Sequence, residues 1–134
     1  MRLFHEVLMP IAFAAIASFT TTALAETPAD FLRSYETAGA AGFSAARGES
    51  FFKATHGREW SCASCHTQNP VTAGTHAKTH KPIAPLAPTA NAERFARPDK
   101  VEKWFRRNCN DVLGRACSSA EKADVIAFLM KCRR

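Results

Sequence analysis

The chain has 134 residues, of which 22% are charged and 46% hydrophobic, and an excess of basic residues gives it a formal net charge of +6. This length predicts one small domain. Its core is modest enough that a cofactor or a disulfide would help it to fold. The positive charge favours acidic partner surfaces, although a solvated basic face accounts for it equally well.

The N-terminal residues have the pattern of a secretory signal peptide. Arg2 is followed by an apolar run at residues 7–19, and residues 23–25 (Ala-Leu-Ala) have the small side chains that signal peptidase requires. The alternative is a retained membrane anchor, but the run is shorter than the roughly 20 residues that a spanning helix needs. We therefore expect a signal peptide at residues 1–25, cleaved after Ala25, and a periplasmic domain at residues 26–134. For such a domain we expect no membrane span and no nucleic-acid partner.

The first part of the domain contains signals for two helices. Thr27, Pro28 and Asp30 supply a cap, a first-turn proline and an early acid, which together predict a first helix. A second helix is predicted at residues 44–56, and Gly57 would end it.

The stretch Cys-Ala-Ser-Cys-His at residues 62–66 follows. A thioredoxin-like redox site would need a strand before it within a βαβ unit, and no convincing strand precedes it. Zinc would need a second ligand pair of comparable spacing, and the next two cysteines along the chain are too far apart. Two thiols followed directly by a histidine, in an exported chain, are typical of haem attachment. We predict one covalent haem c, with Cys62 and Cys65 forming thioethers and His66 as the proximal iron ligand.

Residues 67–91 are rich in Pro, Thr and Ala and are predicted to form a loop. Pro98 can start a third helix, and a capping box of Ser118 and Glu121 predicts a fourth. Helical spacing gives the third helix an inward stripe, made of Val101, Trp104, Phe105, Asn108 and Val112. Asn108 is the polar residue in this stripe. Asparagine often ends a helix or bonds to backbone, so periodicity alone leaves its role open.

Taken together, these elements resemble a class I cytochrome c. A helix with Gly48 and two phenylalanines leads into the cysteine motif, a proline-containing loop follows, and a C-terminal helix closes the chain. The resemblance implies an all-α fold around one covalently bound haem. Such proteins usually take a loop methionine as the sixth iron ligand. Here the methionines are Met1, Met9 and Met130, and the last of these lies in the final helix.

Asn108-Cys109, with Cys117 eight residues further on, resembles the SHP-type cytochromes c. In that family an asparagine side chain is the sixth haem ligand and a disulfide lies beside it. The resemblance implies that Asn108 binds the iron and that Cys109 and Cys117 are joined. Cys132 departs from the family pattern, and it would be a surface thiol or would form an intermolecular disulfide.

An amide is a weak, hard ligand that ferric iron holds better than ferrous iron. Reduction would then release Asn108 and admit a diatomic ligand such as O2 or NO. The predicted function is periplasmic one-electron transfer with ligand binding. The resemblance implies that the electron donor is another cytochrome c, with either one haem or two. The positive charge of this chain favours an acidic surface on that donor.

Two other functions remain open on the sequence alone. A simple electron carrier would use a histidine or methionine as sixth ligand, and the rival histidines are His56, His76 and His80, of which His80 is best placed. An enzyme that reduces O2 or NO, or a sensor of these gases, would need the same open iron site.

Overall fold

The computed structural model describes residues 26–133, so the predicted signal peptide lies outside the described residues. Five α-helices are present in this part of the chain: α1 at Pro28–Thr37, α2 at Ala45–Lys53, α3 at Cys62–His66, α4 at Pro98–Leu113 and α5 at Ser119–Lys131. A 3-10 helix at Ala92–Phe95 and an antiparallel pair of two-residue strands, β1 at Gly74–Thr75 and β2 at Pro82–Ile83, complete the fold. The all-α prediction is confirmed. No helix within residues 26–133 is both long and apolar enough to cross a bilayer.

The predicted helix starts are confirmed at both ends of the domain. Thr27 and Asp30 form a capping box at the start of α1, and Ser118 and Glu121 form another at the start of α5. The predicted C-terminal end of the second helix is wrong, because α2 ends at Lys53. Its cap residue already has extended backbone dihedrals, and residues 56 and 57 then take positive φ angles, which an α-helix cannot accommodate.

Helices α2 and α5 cross at very short range and form the centre of the core. A Cβ atom on Gly48 of α2 would lie 1.9 Å from the backbone oxygen of Asp124 in α5, so only glycine allows this approach. The Asp124 carboxylate accepts a hydrogen bond from the backbone N–H of Ser44 at 2.6 Å, and two more from the Arg47 guanidinium. Helix α5 therefore caps the start of α2 while packing against its side.

Helix α4 presents most of its predicted inward stripe to the interior. Val101 and Val112 are buried, and Phe105 and Asn108 are half-buried. The prediction is wrong for Trp104, which is 45% exposed and has the Arg107 guanidinium 5.0 Å from its ring centroid. Trp104 lies at the edge of the stripe, one turn before Asn108, where helical spacing alone does not separate a buried position from a bordering one.

Candidate haem site

The two cysteines of the motif lie on one turn of helix. Ser61 caps α3 and forms a capping box with Ser64, which fixes where the turn begins. Cys62 and Cys65 are three residues apart and therefore lie on one face of the turn, and both are free thiols. The geometry suits two bonds to one flat ligand.

His66 ends the same turn and its ring is held in the interior. Its Nδ1 is the one side-chain nitrogen or oxygen in residues 26–133 that is fully buried without a hydrogen-bond partner. Burial, with a smaller contribution from the Arg94 charge, lowers the pKa of His66 to about 4. The imidazole is therefore neutral at pH 7, which is the form that binds iron.

The environments of the two thiols suit neutral sulfur atoms. Burial raises the pKa of Cys62 to about 11, so a thiolate is disfavoured there. The backbone N–H of Ala77 donates a hydrogen bond to the Sγ of Cys65 at 3.3 Å. A thioether sulfur is uncharged and can accept such a bond, so both positions fit covalent attachment.

The loop after the motif folds back over it. A Cβ atom on Gly74 would lie 2.0 Å from the backbone oxygen of Cys65, so β1 rests directly on α3. Further along, Arg94 donates hydrogen bonds to the carbonyl oxygens of Pro85 at 2.9 Å and Ala84 at 2.5 Å. These contacts hold the proline-rich loop in place. Sequence reasoning missed Gly74 and Arg94, and the signal that could have found Gly74 is a lone glycine in the long loop at residues 67–91.

In the C-terminal part of the chain, α4 places Asn108 next to a disulfide. Cys109 and Cys117 are joined as the family resemblance implies, with their Cα atoms 5.6 Å apart. Helix α4 continues past Asn108 to Leu113, and the Asn108 side chain has no hydrogen-bond partner among residues 26–133. Asn108 therefore neither ends the helix nor bonds to backbone, which were the two structural roles that its residue type suggested.

The rival histidines have other roles or stay at the surface. The Nε2 of His56 lies 2.8 Å from the backbone oxygen of Phe51, against whose ring it also packs. The Nδ1 of His76 accepts hydrogen bonds from two backbone N–H groups of its own turn. His80 is exposed and has a positive φ of 54°. The Cys132 thiol is free and donates a hydrogen bond to a backbone oxygen in α5.

An all-α fold with a half-buried histidine directly after a helical Cys-x-x-Cys turn defines a c-type cytochrome. A family model described as a domain of unknown function (DUF1924) matches residues 38–129. The cytochrome c-type protein SHP of Cereibacter sphaeroides is 44% identical over 107 residues, which cover 77% of this chain and 82% of SHP. Cytochrome c'' of Methylophilus methylotrophus is 52% identical over 79 residues, which cover 59% of this chain and 55% of that protein.

Solved structures of both proteins are similar to this one. A structure of oxidised SHP, described as an oxygen-binding cytochrome c, has a TM-score of 0.71 at 43% identity and covers 77% of this chain and 95% of its own. A solution structure of cytochrome c'', described in terms of haem-ligand detachment, has a TM-score of 0.65 at 41% identity. The match covers 78% of this chain and 92% of the cytochrome c'' chain. The chain therefore belongs to the family of small monohaem c-type cytochromes that includes SHP and cytochrome c''.

One covalent haem c is accordingly the cofactor, as the motif predicts. The residues present fit it. The attachment turn offers two free thiols on one face, and a neutral imidazole whose Nδ1 is fully buried follows them.

Proposed function

We propose that this chain is a periplasmic cytochrome that couples one-electron transfer to the binding of a small diatomic ligand, O2 or NO. Cys62 and Cys65 hold the haem, His66 is the proximal ligand, and Asn108 is the sixth ligand of the ferric iron. The observation that carries the proposal is the half-buried Asn108 amide, which has no hydrogen-bond partner within residues 26–133 and lies in an otherwise apolar stripe. Its amide atoms are not fully buried, so the carbonyl oxygen is neither enclosed nor used by the fold and is left available to bind iron.

The haem supplies a one-electron redox centre with an iron site for small ligands. His66 contributes a neutral imidazole from the rigid attachment turn. Asn108 would offer a carbonyl oxygen, a hard and weak donor that suits ferric iron better than ferrous iron. When not bound to the iron, the same amide would present two N–H donors to a small ligand beside it.

The relatives support this proposal. SHP is described as oxygen-binding, and the solution structure of cytochrome c'' is described in terms of ligand detachment from its haem. The simple-carrier alternative loses support, because His56 and His76 are engaged in local hydrogen bonds and Met130 lies near the end of α5.

Location and electron donor belong to the same proposal. We infer that the leader at residues 1–25 is cleaved after Ala25, so that N-terminal sequencing of the mature protein would begin at Glu26. We infer that the electron donor is another periplasmic cytochrome c, with either one haem or two, and that it has an acidic surface. The basic side chains along the outer face of α4 support this, since Lys100, Lys103 and Arg107 are exposed and form no salt bridge with residues 26–133.

The deciding experiment replaces Asn108 with alanine. Water then takes the sixth position. Because an amide oxygen and water are both weak oxygen donors, the readout is the rate at which the ferric protein binds cyanide, which rises when an exchangeable water replaces Asn108. The ferrous spectrum changes little, because Asn108 has already left the iron in that state. The matched control is Asn110→Ala, which removes the same amide from an exposed position on the same helix. A ferric Asn108→Ala protein that binds cyanide at the wild-type rate shows that Asn108 is not the ligand, and His80 is then the next residue to replace.

The covalent attachment of the haem can be tested separately. Mass spectrometry under denaturing conditions should find the haem mass retained on the peptide that contains Cys62 and Cys65. Extraction of the haem by acidified acetone would show that no thioether bond exists.

A further inference from the structure

Three side chains from three helices meet beside the inner face of α4, where the Glu102 side chain remains partly exposed. The hydroxyl of Tyr35 in α1 donates a hydrogen bond to Oε1 of Glu102 in α4 at 2.5 Å. The ammonium group of Lys122 in α5 donates to Oε2 of the same carboxylate at 2.7 Å. Glu102 thus accepts one hydrogen bond from α1 and one from α5.

The aromatic rings around these three groups restrict how α4 can rotate or slide. The ring of Phe105, one turn after Glu102, packs edge-on against Tyr35 with centroids 6.4 Å apart. The Lys122 ammonium lies 5.3 Å from the centroid of the Tyr35 ring and 5.8 Å from that of Phe105. A rotation or a slide of α4 would break both hydrogen bonds and the ring contact together.

Protonation states keep the three groups complementary. Burial raises the pKa of Tyr35, and its hydrogen bond to Glu102 raises it further, so the phenol stays a neutral donor. Burial also tends to raise the pKa of Glu102, but the bonds from Lys122 and Tyr35 outweigh it, and the net pKa is lowered. The carboxylate therefore remains ionised at neutral pH.

Helix α4 has few other close attachments. Its backbone does not approach α1 or α5 in the way that α2 approaches α5, so its position depends on side chains. The Cys109–Cys117 disulfide holds it on one side of Asn108. Glu102 lies six residues before Asn108, about 9 Å along the helix axis.

We propose that Glu102, held by Tyr35 and Lys122, is a positioning residue that sets how well Asn108 reaches the ferric iron. This inference rests on the proposed function, because it takes Asn108 as the sixth ligand. The disulfide fixes the end of α4 after Asn108, and Glu102 fixes the rotation of the helix before it. With both in place, Asn108 meets the iron without a further ordering cost, which is the usual advantage of a preorganised ligand.

The test compares variants of the haem-loaded protein. Glu102→Ala removes both hydrogen bonds, Glu102→Gln keeps an acceptor for Tyr35, and Tyr35→Phe removes only a hydroxyl. We expect the ratio of Asn108-bound to water-bound ferric protein to fall by about tenfold in Glu102→Ala, within the range typical of indirect couplings. Glu102→Gln and Tyr35→Phe should give smaller losses. Weaker ferric ligation raises the reduction potential, by about 59 mV for a tenfold change in a one-electron couple.

Two controls separate positioning from general loosening of the fold. Lys53→Met breaks the Lys53–Glu49 salt bridge, which is 2.6 Å long and lies on α2, and should leave both spectrum and potential unchanged. In an Asn108→Ala background, Glu102→Ala should no longer shift the potential, because the ligand that it positions is gone. A shift that persists in that background overturns the proposal.

The two proposals fail in different ways. If cyanide binds ferric Asn108→Ala faster than the wild-type protein while all Glu102 and Tyr35 variants keep the wild-type rate, the positioning role is overturned and the ligand assignment stands. If Asn108→Ala itself keeps the wild-type rate, the ligand assignment fails and the positioning role fails with it. Should Glu102→Ala not fold, the conservative Tyr35→Phe variant decides the question by the same rate.

Discussion

Two helix contacts in this protein are built in opposite ways. Helices α2 and α5 meet backbone to backbone at Gly48, and a buried carboxylate at Asp124 fixes one to the other. Helix α4 instead reaches its neighbours through long side chains and one disulfide. Close-packed backbones have little room to move, whereas a helix held by side chains can shift by small amounts.

The difference matches what each region has to do under the proposed function. The crossing of α2 and α5 supports the haem-attachment turn, which must stay the same in both oxidation states. Helix α4 carries Asn108, which has to bind in one state and leave in the other. Four changes test this comparison.

The largest effect is expected at Gly48. In Gly48→Ala the new methyl group would overlap the Asp124 backbone oxygen at 1.9 Å, so the two helices must separate. We expect a loss of about 3 kcal/mol or more in the free energy of unfolding, measured by denaturant titration of the haem protein. Ser50→Ala, an exposed position on the same helix, is the control and should change it by less than about 0.5 kcal/mol. Similar unfolding curves for both variants would mean that the crossing is not tightly packed.

Asp124 should come next. Asp124→Ala leaves the Ser44 N–H and the Arg47 guanidinium without their acceptor, and two of the three lost bonds join charged groups. We expect a loss of about 3 kcal/mol, with a smaller loss in Asp124→Asn, which keeps one acceptor. The ferric spectrum should not change in either variant. Faster cyanide binding to the ferric protein in either variant would show that the two regions are not independent.

Removing the disulfide should affect function more than stability. The double variant Cys109→Ser/Cys117→Ser releases a short loop, which costs about 2.5 kcal/mol in the chain-entropy model. Because Asn108 adjoins Cys109, its ferric ligation should also weaken, and stopped-flow mixing with carbon monoxide after reduction should show little change. An unaltered ferric spectrum in the folded variant would remove the disulfide from the positioning of Asn108.

The smallest effect is expected from acid. The hydrogen bond and charge of Arg115 lower the pKa of Glu121 to about 2, against an unfolded value of about 4.3. A depressed folded pKa means that the stabilisation is present above the unfolded value and is lost as the pH falls towards 2. We expect less than about 1 kcal/mol in this window, since the pair is partly exposed. Glu121→Gln should flatten the pH dependence of the melting temperature there, and equal slopes in both proteins would exclude this pair.

Local signals in the sequence predicted what local chemistry determines. The capping boxes at Thr27 and Ser118 each lie within four residues, and the cysteine motif lies within five, so each can be recognised in a short stretch of sequence. The disulfide came from resemblance to a family and is confirmed by the structure. Asn108 as a ligand remains a prediction, supported by the loss of its two structural explanations.

Contacts between distant residues could not be predicted in this way. Tyr35 and Glu102 are 67 residues apart, and neither position differs in type from an ordinary helix residue. The approach of Gly74 to Cys65 depends on where a loop without periodicity turns back. The exposure of Trp104 was missed because helical spacing gives a direction from the axis, and the depth of burial depends on what packs there.

The strand that rests on the attachment turn has a consequence for how the protein is made. Gly74 covers the backbone of Cys65, the Ala77 N–H occupies its sulfur, and burial suppresses the Cys62 thiolate. Both thiols are half-buried, and these contacts must be undone before an enzyme can reach the whole turn. We therefore expect haem ligation to precede closure of this loop, so that the chain receives its cofactor while still extended and completes its folding around it.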